Sequence, residues 1–331
     1  MGIQETYVLG APRAQDAVDL FAGEWASHLP GLDAVTGGAE LFDDIRVRWA
    51  IDRFGSVEGA EVLECGPLEG GHTYGLLQNG AAHVTAVEAA PRAWLRCLVA
   101  KELLGMRDTT FLLGGADAYL TATDRRFDVG WCSGVLYHLD DPARLLVRLA
   151  AVTDRLFIWT HVHDAEVIAA NDDLATQFDG QVRTLDVAGT EVELHRHLYQ
   201  HATESDAFCG GDRPDSWWLT RDGLLALLDR CGFGTVEIGL DHADHPNGPS
   251  LAIAATRTGP VLDPAEAGYG PDPTTPTSDA VPALPSPSEI EGLRSELAAT
   301  RAQLDAIRAT RTWRAHDRVV EVLRRWRPSR G

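Results

Sequence analysis

The chain has 331 residues, of which 44% are hydrophobic and 24% charged, as is typical of a globular protein with one sizeable domain and an appendage. No stretch approaches the roughly 18 apolar residues that a membrane-spanning helix needs, and the first ten residues show no signal-peptide pattern. We therefore expect a cytoplasmic protein. The five cysteines include no CxxC pair, which argues against a disulfide framework and against a structural zinc site.

The formal net charge of −20 is unevenly distributed along the chain. Residues 308–331 hold eight arginines and two acids, a charge of +6, which leaves −26 for the rest of the chain. An acidic body repels phosphate backbones. The charge therefore counts against a nucleic acid as the partner.

The hydrophobic pattern changes near residue 60. Residues 1–58 carry apolar side chains at helical spacing, which predicts an N-terminal helical segment. Beyond it, short apolar runs predict strands at 60–65, 83–88, 109–113, 127–132 and 155–160. Amphipathic segments between them predict helices at about 72–79, 91–104, 116–121 and 141–152. Such alternation is typical of a parallel sheet covered by helices on both faces.

Residues 161–216 interrupt this alternation after the fifth strand. Alternating apolar residues within 181–199 predict a hairpin that turns near Gly189. A helix at 220–231 and strands at 234–240 and 250–256 then complete the domain. We therefore predict one α/β domain over 59–258, with 161–216 inserted as a cap that binds the acceptor.

The C-terminal part differs in composition from the domain. Residues 259–288 hold eight of the seventeen prolines, which predicts a disordered linker. Within 289–328, apolar residues at alternating three- and four-residue steps over 290–307 predict a short coiled coil that forms a homodimer. The arginine-rich helix beyond it is predicted to contact an anionic membrane surface or a partner in glycan assembly.

The first motif that carries chemistry is the segment 62–72, VLECGPLEGGH. An apolar strand ends at Glu64 and runs through Gly66 and Gly70 into a helix. Glycine lets the backbone approach a ligand closely, and the helix start offers free N–H groups to an anion. A structural turn has a similar pattern, and Leu68 stands where a dinucleotide-binding GxGxxG loop has its second glycine.

Two further acids follow strands, at Glu88 and Asp117. Glu88 ends the second strand, where a carboxylate accepts hydrogen bonds from both ribose hydroxyls of an adenosine. Ala116 and Asp117 follow the third strand, where an acid accepts the adenine amino group. The alternative for Asp117 is a helix N-cap.

The series ECGPLEGG, VTAVEA, GGADAY and FDVGWCSGVLYHL, over about residues 60–257, resembles the motif order of class I S-adenosylmethionine-dependent methyltransferases. It is similar in particular to a bacterial group with GPLEGG and SGVLYH motifs, a WTH strand end, an SWWL segment and a late NGP. The resemblance implies a Rossmann-like, doubly wound, mostly parallel seven-stranded sheet and S-adenosylmethionine as cofactor. It also implies that Glu64, Gly66 and Gly70 frame the methionine part and that Ser133 lies near the sulfonium.

Methyl transfer to a hydroxyl needs a base, and histidine suits that task because its pKa lies near neutrality. His138 follows the fourth strand, and His161 and His163 follow the fifth, at the sheet edge where open α/β sheets bind ligands. We rank His161 first because an apolar strand precedes it. Each of the three has a structural role as its alternative. The surrounding histidines include HxH pairs, but solvated or capping roles are preferred to a metal site, so we expect none.

The leading hypothesis is therefore methyl transfer to a small-molecule or sugar acceptor, with an O-methyl product. The segment ATRTWR after the coiled coil resembles tails of bacterial enzymes of surface-glycan assembly, which favours a sugar. One alternative is an RNA-modifying methyltransferase, because GVLYHL and Cys231-Gly232-Phe233 also resemble the wobble-uridine carboxymethylating enzymes. The other is a non-catalytic assembly factor that acts through its tail.

Overall fold

The structure is a computed structural model, and it describes residues 7–32, 37–200, 210–211, 213–270, 292, 294–296 and 298–303. The strands are β1 Glu61–Cys65, β2 His83–Glu88, β3 Thr109–Leu113, β4 Phe127–Ser133, β5 Thr153–His161, β6 Phe178–Val187, β7 Thr190–Leu198, β8 Asp215–Leu219, β9 Thr235–His242 and β10 Ser250–Thr256. The α-helices are α1 Ala14–Asp19, α2 Ile45–Phe54, α3 Gly71–Gln78, α4 Pro91–Leu104, α5 Ala116–Ala122, α6 Pro142–Val152, α7 Ala165–Ala169, α8 Asp172–Ala175 and α9 Arg221–Arg230.

The main sheet has seven strands in the order β3-β2-β1-β4-β5-β10-β9. The neighbours from β3 to β5 pair in parallel, whereas β10 is antiparallel to both β5 and β9. This is the predicted Rossmann-like, mostly parallel sheet, and the predicted strands and helices of 60–160 lie within two residues of the observed ones. The order reverses between β1 and β4, so the chain leaves these neighbouring strands toward opposite sides and opens a crevice above them.

The sheet separates two hydrophobic clusters because successive residues of a strand face opposite sides. In β1, Val62 packs with the N-terminal helices and α4, whereas Leu63 packs with α6, α9 and the insertion. Both residues are fully buried. The predicted helical segment 1–58 thus contributes α1 and α2, which cover one face of the sheet.

The insertion after β5 forms a separate antiparallel sheet in the order β6-β7-β8. Its hairpin pairs Val187 with Thr190 and turns at Gly189, as predicted. The strand β8 was not predicted, because all five of its residues are buried and a strand buried on both faces shows no alternation. The backbone N–H of Trp217 in β8 donates a 2.9 Å hydrogen bond to the carbonyl of Leu139, just after β4.

The prediction that the disordered linker begins at residue 259 is wrong. Residues 259–270 pack against the domain: Leu262 and Ala267 are buried in the cluster around α6. Arg148 of α6 also donates hydrogen bonds of 3.2 Å to the carbonyls of Tyr269 and Gly270. Two apolar anchors and two charge-assisted hydrogen bonds therefore order a stretch whose proline content predicted disorder.

The rest of the predicted linker, residues 271–288, lies outside the described residues, as do most of the apolar positions of the predicted coiled coil. The described residues between 292 and 303 are helical. The coiled coil, its homodimer and the basic helix stay predictions. Within the described residues, no helix has the length and apolar character needed to cross a membrane.

Removing residues 259–270 is expected to destabilise the domain. A chain ending at 258 loses the burial of Leu262 and the carbonyl partners of Arg148, so its free energy of unfolding falls by about 3 kcal/mol relative to a chain ending at 270. Urea denaturation of the two truncated chains measures the difference. Equal midpoints and slopes would show that residues 259–270 contribute nothing to folding.

Candidate active site

A cavity of about 390 Å³ lies above the carboxyl ends of β1, β2, β4 and β5. Small-molecule sites are typically ~300–1,000 Å³. The walls combine acids at strand ends, small residues of the loops, and aromatic or imidazole rings at one end. They include Glu64, Gly66, Leu68, Glu88, Ala116, Asp117, Ser133, Tyr137, His138 and Trp159, with Leu41 and Arg46 from the N-terminal segment.

The loop after β1 is shaped by close approach to the loop after β4. Gly66 has a φ of 69°, and a Cβ placed there would lie 2.7 Å from Cγ2 of Val135. Leu68 has a φ of 58°, the left-handed conformation that glycine adopts without cost. The backbone thus adopts at Leu68 a conformation that favours glycine, at a conformational cost of roughly 1–2 kcal/mol.

Glu88 fixes this loop from the end of β2. Its carboxylate accepts hydrogen bonds from the backbone N–H of Leu68 at 3.0 Å and from that of Ala90 at 2.9 Å. The N–H of Leu68 is therefore already used within the protein. Glu88 lines the cavity, at the position predicted for a ribose-binding acid.

Glu64 is buried at the cavity floor, and its carboxylate accepts a hydrogen bond from the hydroxyl of Thr73 in α3. Burial raises the pKa of Glu64 to about 7, and the nearby carboxylate of Glu88 adds to the rise. An ionised Glu64 is therefore costly in the free protein at neutral pH. A cation placed beside it lowers that cost.

Asp117 lines the cavity, and its carboxylate faces α6 as well. It lies 2.7 Å from Nη1 of Arg148 and 3.1 Å from Nε of Arg144. The alternative role as helix N-cap is not what the structure shows, because Gly115 occupies that position of α5. Asp117 is therefore an anchored acid beside the cavity, with Ala116 next to it in the wall.

Of the other predicted cofactor residues, Ser133 lines the cavity and Gly70 does not. Gly70 precedes α3 in the left-handed conformation, and a Cβ there would lie 3.1 Å from the ring of Phe111. Its contribution is to the turn that starts α3, because its φ of 80° favours glycine and a Cβ there would press against Phe111.

Sequence reasoning missed Glu69, the buried acid that fastens the N-terminal segment over the loop. Glu69 accepts hydrogen bonds from the backbone N–H groups of Ala26 and Ser27 and, at 2.6 Å, from the hydroxyl of Ser27. It is fully buried, with Nε of Arg96 at 3.9 Å. Glu69 thereby connects the glycine-rich loop to the segment that supplies Leu41 and Arg46.

Arg46 was also missed, because Asp44 and Arg46 resemble an ordinary surface pair in the sequence. The Asp44 carboxylate holds Nε of Arg46 at 2.9 Å and also contacts Nη2. Asp44 accepts a third hydrogen bond, of 2.9 Å, from Nε2 of His72, whose Nδ1 accepts from the indole N–H of Trp131. The guanidinium lies 4.6 Å from the centroid of Trp159. No described residue bonds Nη1, so this edge remains available to a ligand carboxylate.

His138 is the predicted base that the structure places in the cavity wall. It ends the 3₁₀ turn Leu136–His138, and its Nδ1 lies 2.7 Å from the hydroxyl of Tyr199. No described residue bonds Nε2. Burial lowers the pKa of His138 to about 3, and neighbouring imidazoles add to the effect, so the ring is neutral at physiological pH.

The structure does not place His161 or His163 in that wall. His161 is buried; its Nδ1 donates to the carbonyl of Gly248 at 2.8 Å, and its ring stacks on Trp218 of β8. His163 stacks on His195 of β7, with ring centroids 3.4 Å apart. Burial lowers the pKa of each to about 4. The prediction that ranked His161 first used only its position after β5. In the structure, the inserted sheet covers that side chain, so it does not line the cavity.

The imidazoles of this region do not converge on one point. Within the part of the chain that the structure describes, no group of three or more His, Cys, Asp or Glu side chains has the geometry to hold a metal ion. The histidines instead stack on one another and on aromatic rings, as His197 does on Trp218.

Comparisons with known proteins agree with this geometry. Residues 63–155 match the family model of a methyltransferase domain. A stretch of 120 residues is 30% identical to the tRNA U34 carboxymethyltransferase of Chromohalobacter salexigens and covers 34% of this chain and 36% of that enzyme. The match thus spans about a third of the length of this curated relative.

Among solved structures, the N-terminal domain of EvdMO1 in the presence of SAH (S-adenosylhomocysteine) and D-fucose has a TM-score of 0.56 at 23% identity. The alignment covers 74% of this chain and 95% of that domain. The same domain with SAH bound has a TM-score of 0.57, with equal identity and coverage. Residues 63–155 thus match a methyltransferase domain, and the fold around them is similar to that of the EvdMO1 domain. In that neighbour the bound ligand is S-adenosylhomocysteine, the product that remains when S-adenosylmethionine gives up its methyl group.

The cavity fits S-adenosylmethionine, the cofactor that the sequence motifs imply. Its volume suits a nucleoside-sized ligand, and Gly66 removes the side chain that would narrow its floor. Buried acids at Glu64 and Glu88 match a ligand with positive charge and ribose hydroxyls. The open edge of Arg46 matches a carboxylate.

Replacing Glu64 with Gln is expected to stabilise the cofactor-free protein. The unfolded pKa of Glu is ~4.3 and the folded pKa is about 7, so ionising the buried wild-type carboxyl lowers the free energy of unfolding as pH rises between these values. The free energy of unfolding of the variant should therefore exceed that of the wild type by an amount that grows from about pH 4.5 to 7. The difference should reach up to roughly 3 kcal/mol and stay constant above pH 7.

Urea denaturation without cofactor at pH 5, 6, 7 and 8 measures this difference. Calorimetry on the same variant should show weaker binding of S-adenosylmethionine. A stability difference that does not change with pH would contradict the assignment of Glu64 as a buried, costly carboxylate.

Proposed function

We propose that this protein transfers a methyl group from S-adenosylmethionine to a hydroxyl of a small, uncharged acceptor such as a sugar, with His138 as the base. The observation that carries the proposal is a single cavity that combines the acid-lined crevice at the sheet switch point with a neutral histidine at its aromatic end. Proton removal and alignment of the acceptor are the two tasks that such a transfer leaves to the protein.

The residues that would hold the cofactor divide by chemistry. Glu88 would accept the ribose hydroxyls, and Ala116 and Asp117 would border the adenine. Glu64 and Ser133 would border the methionine part, whose carboxylate would meet Nη1 of Arg46. When bound, the cofactor supplies a methyl group on a sulfonium, whose positive charge is lost upon transfer.

His138 would take the acceptor's proton at Nε2 as the acceptor oxygen forms its bond to the methyl carbon. Its depressed pKa keeps the ring unprotonated and able to accept a proton. The imidazole gains one positive charge in the step in which the sulfonium charge is lost, so the net charge within the cavity does not change. Glu64 and Glu88 therefore face one positive charge before and after the transfer, which offsets the weakness of a buried histidine as a base.

Two features support a sugar acceptor. The aromatic end of the cavity contains Tyr137 and Trp159, whose ring faces and polar edges suit a polyol, and the histidines around it are neutral. The resemblance of the ATRTWR tail to glycan-assembly enzymes points the same way. The EvdMO1 domain in the presence of D-fucose makes that sugar the first acceptor to test.

A second candidate is RNA modification, which is favoured by the match to a tRNA U34 carboxymethyltransferase. The charge of −26 outside residues 308–331 counts against it, because RNA binding relies on phosphate neutralisation. Retention on heparin at low salt distinguishes the two: a sugar methyltransferase of this charge elutes in the void volume once residues 308–331 are removed.

S-adenosylmethionine is expected to bind with a dissociation constant on the order of micromolar. Replacing Glu88 with Ala should weaken binding by about 1.5–3 kcal/mol, because charge-assisted hydrogen bonds to the ribose are lost. Calorimetry measures both, with Glu102→Ala on the exposed side of α4 as the matched control. Absence of binding by the wild type would remove the methyltransferase proposal, whereas an unaffected Glu88→Ala variant would remove only this assignment.

Alanine variants of the three histidines should differ in kcat when methyl transfer to an accepted sugar is assayed. His138→Ala should lower kcat at least 100-fold at saturating cofactor, because a positioned base contributes ~10²–10⁴-fold, whereas His163→Ala should lower it only a few-fold. Since the pKa of His138 is about 3, wild-type kcat should not decline from pH 8 to pH 6, as it would for a base of ordinary histidine pKa. A decline centred near pH 6.5, or a larger loss at His161 than at His138, would contradict this choice of base.

A further inference from the structure

We propose that Tyr199, supplied by the inserted sheet, is a positioning residue: its hydroxyl accepts a hydrogen bond from Nδ1 of His138 and thereby holds the ring in the tautomer with a free Nε2 toward the acceptor. This inference rests on the proposed function of His138. The observation behind it is the 2.7 Å contact between Nδ1 and the hydroxyl, made by two side chains 61 residues apart. Tyr199 follows β7 and is itself buried.

The direction of this hydrogen bond decides what His138 is able to do. A neutral imidazole carries one proton, so one ring nitrogen donates and the other accepts. If the tyrosine hydroxyl donates to Nδ1, the proton lies on Nε2 and the ring offers the acceptor no base. If Nδ1–H donates to the tyrosine oxygen, Nε2 has the lone pair that takes the proton. Only the second arrangement is compatible with His138 as the base.

The turn that bears His138 is held by the insertion at a second point. The N–H of Trp217 in β8 donates to the carbonyl of Leu139, the residue after His138. One strand of the inserted sheet thus fixes the backbone of the turn, and the residue after a neighbouring strand contacts its imidazole. The insertion therefore belongs to the catalytic centre as well as to the wall that covers it.

The groups around Tyr199 and His138 are consistent with a role for Tyr199 in orienting the imidazole rather than in stabilising a charge on it. On the insertion side, the ring of Tyr199 is 5.2 Å from that of His197, and on the cavity side the ring of Tyr137 is 4.1 Å from that of His138. His197 is neutral as well, because burial lowers its pKa to about 4. No carboxylate hydrogen-bonds Nδ1 among the described residues, so the hydroxyl of Tyr199 is its partner, and as the acceptor of Nδ1–H it would leave Nε2 unprotonated.

The first test reads the tautomer without any acceptor or activity. NMR of full-length protein labelled with ¹⁵N-histidine distinguishes a protonated Nδ1 from a protonated Nε2, and His138→Asn identifies the His138 signals. We expect Nδ1–H in the wild type and a shift toward Nε2–H, or a mixture, in Tyr199→Phe. Nε2–H in the wild type, or an unchanged tautomer in Tyr199→Phe, would overturn the inference whether or not the protein transfers methyl groups.

The second test uses kinetics with an accepted sugar. Tyr199→Phe should lower kcat about 10- to 100-fold while the affinity for S-adenosylmethionine and the thermal midpoint stay close to wild type; Tyr119→Phe, outside the cavity wall, is the matched control. Since Tyr199 acts through His138, the double variant His138→Ala/Tyr199→Phe should be no slower than His138→Ala alone. A further tenfold loss in the double variant would show that Tyr199 acts independently and would contradict the assignment.

Discussion

The close approach of two loops at the switch point of the sheet is the constraint on which the site depends. β1 and β4 are parallel neighbours, and the chain leaves them toward opposite faces of the sheet. Their loops meet at Gly66 and Val135, where a single Cβ would reach within 2.7 Å of a methyl carbon. The cavity floor, the loop that Glu88 holds at Leu68, and the turn that bears His138 all adjoin this contact.

The protein buries charge to build the cavity, and each buried group is compensated differently. Asp44 lies between Arg46 and His72, so its carboxylate has partners in the free protein, and its pKa is held well below the ordinary range. Glu69 is satisfied by backbone and hydroxyl donors of the N-terminal segment. Glu64 has only the hydroxyl of Thr73 among the described side chains, and it is the acid whose burial raises the pKa toward neutrality. A buried carboxylate with so few partners lowers the free energy of unfolding of the free protein. It also suits a positively charged ligand, since binding sites commonly sacrifice stability in this way.

The sequence was sufficient for the parts of the structure that local periodicity controls. Strand and helix positions, the hairpin at Gly189 and the acids Glu64 and Glu88 all follow from patterns within a few residues. The strand β8 and the ordered stretch 259–270 were missed because their order comes from burial against distant elements. Arg46 and Tyr199 were missed for the same reason: what distinguishes them is a partner across the cavity. Their nearest sequence signals, an Asp-x-Arg pair and a tyrosine ending a hairpin, are common on surfaces.

The position of a histidine after a strand does not by itself determine whether its ring lines the cavity. His161 shares a sheet face with Trp159, two residues earlier, and Trp159 does line the cavity. Trp218 from the insertion stacks on His161, however, and the carbonyl of Gly248 accepts a hydrogen bond from its Nδ1–H, so the ring becomes part of the contact between the two sheets. His138 lies instead on the turn after β4, where Tyr199 of the insertion contacts its Nδ1 and the N–H of Trp217 bonds the next carbonyl, so its ring still lines the cavity. The same inserted sheet thus removes one histidine from the site and orients the other, which makes the insertion the element that sets the chemistry at the acceptor end.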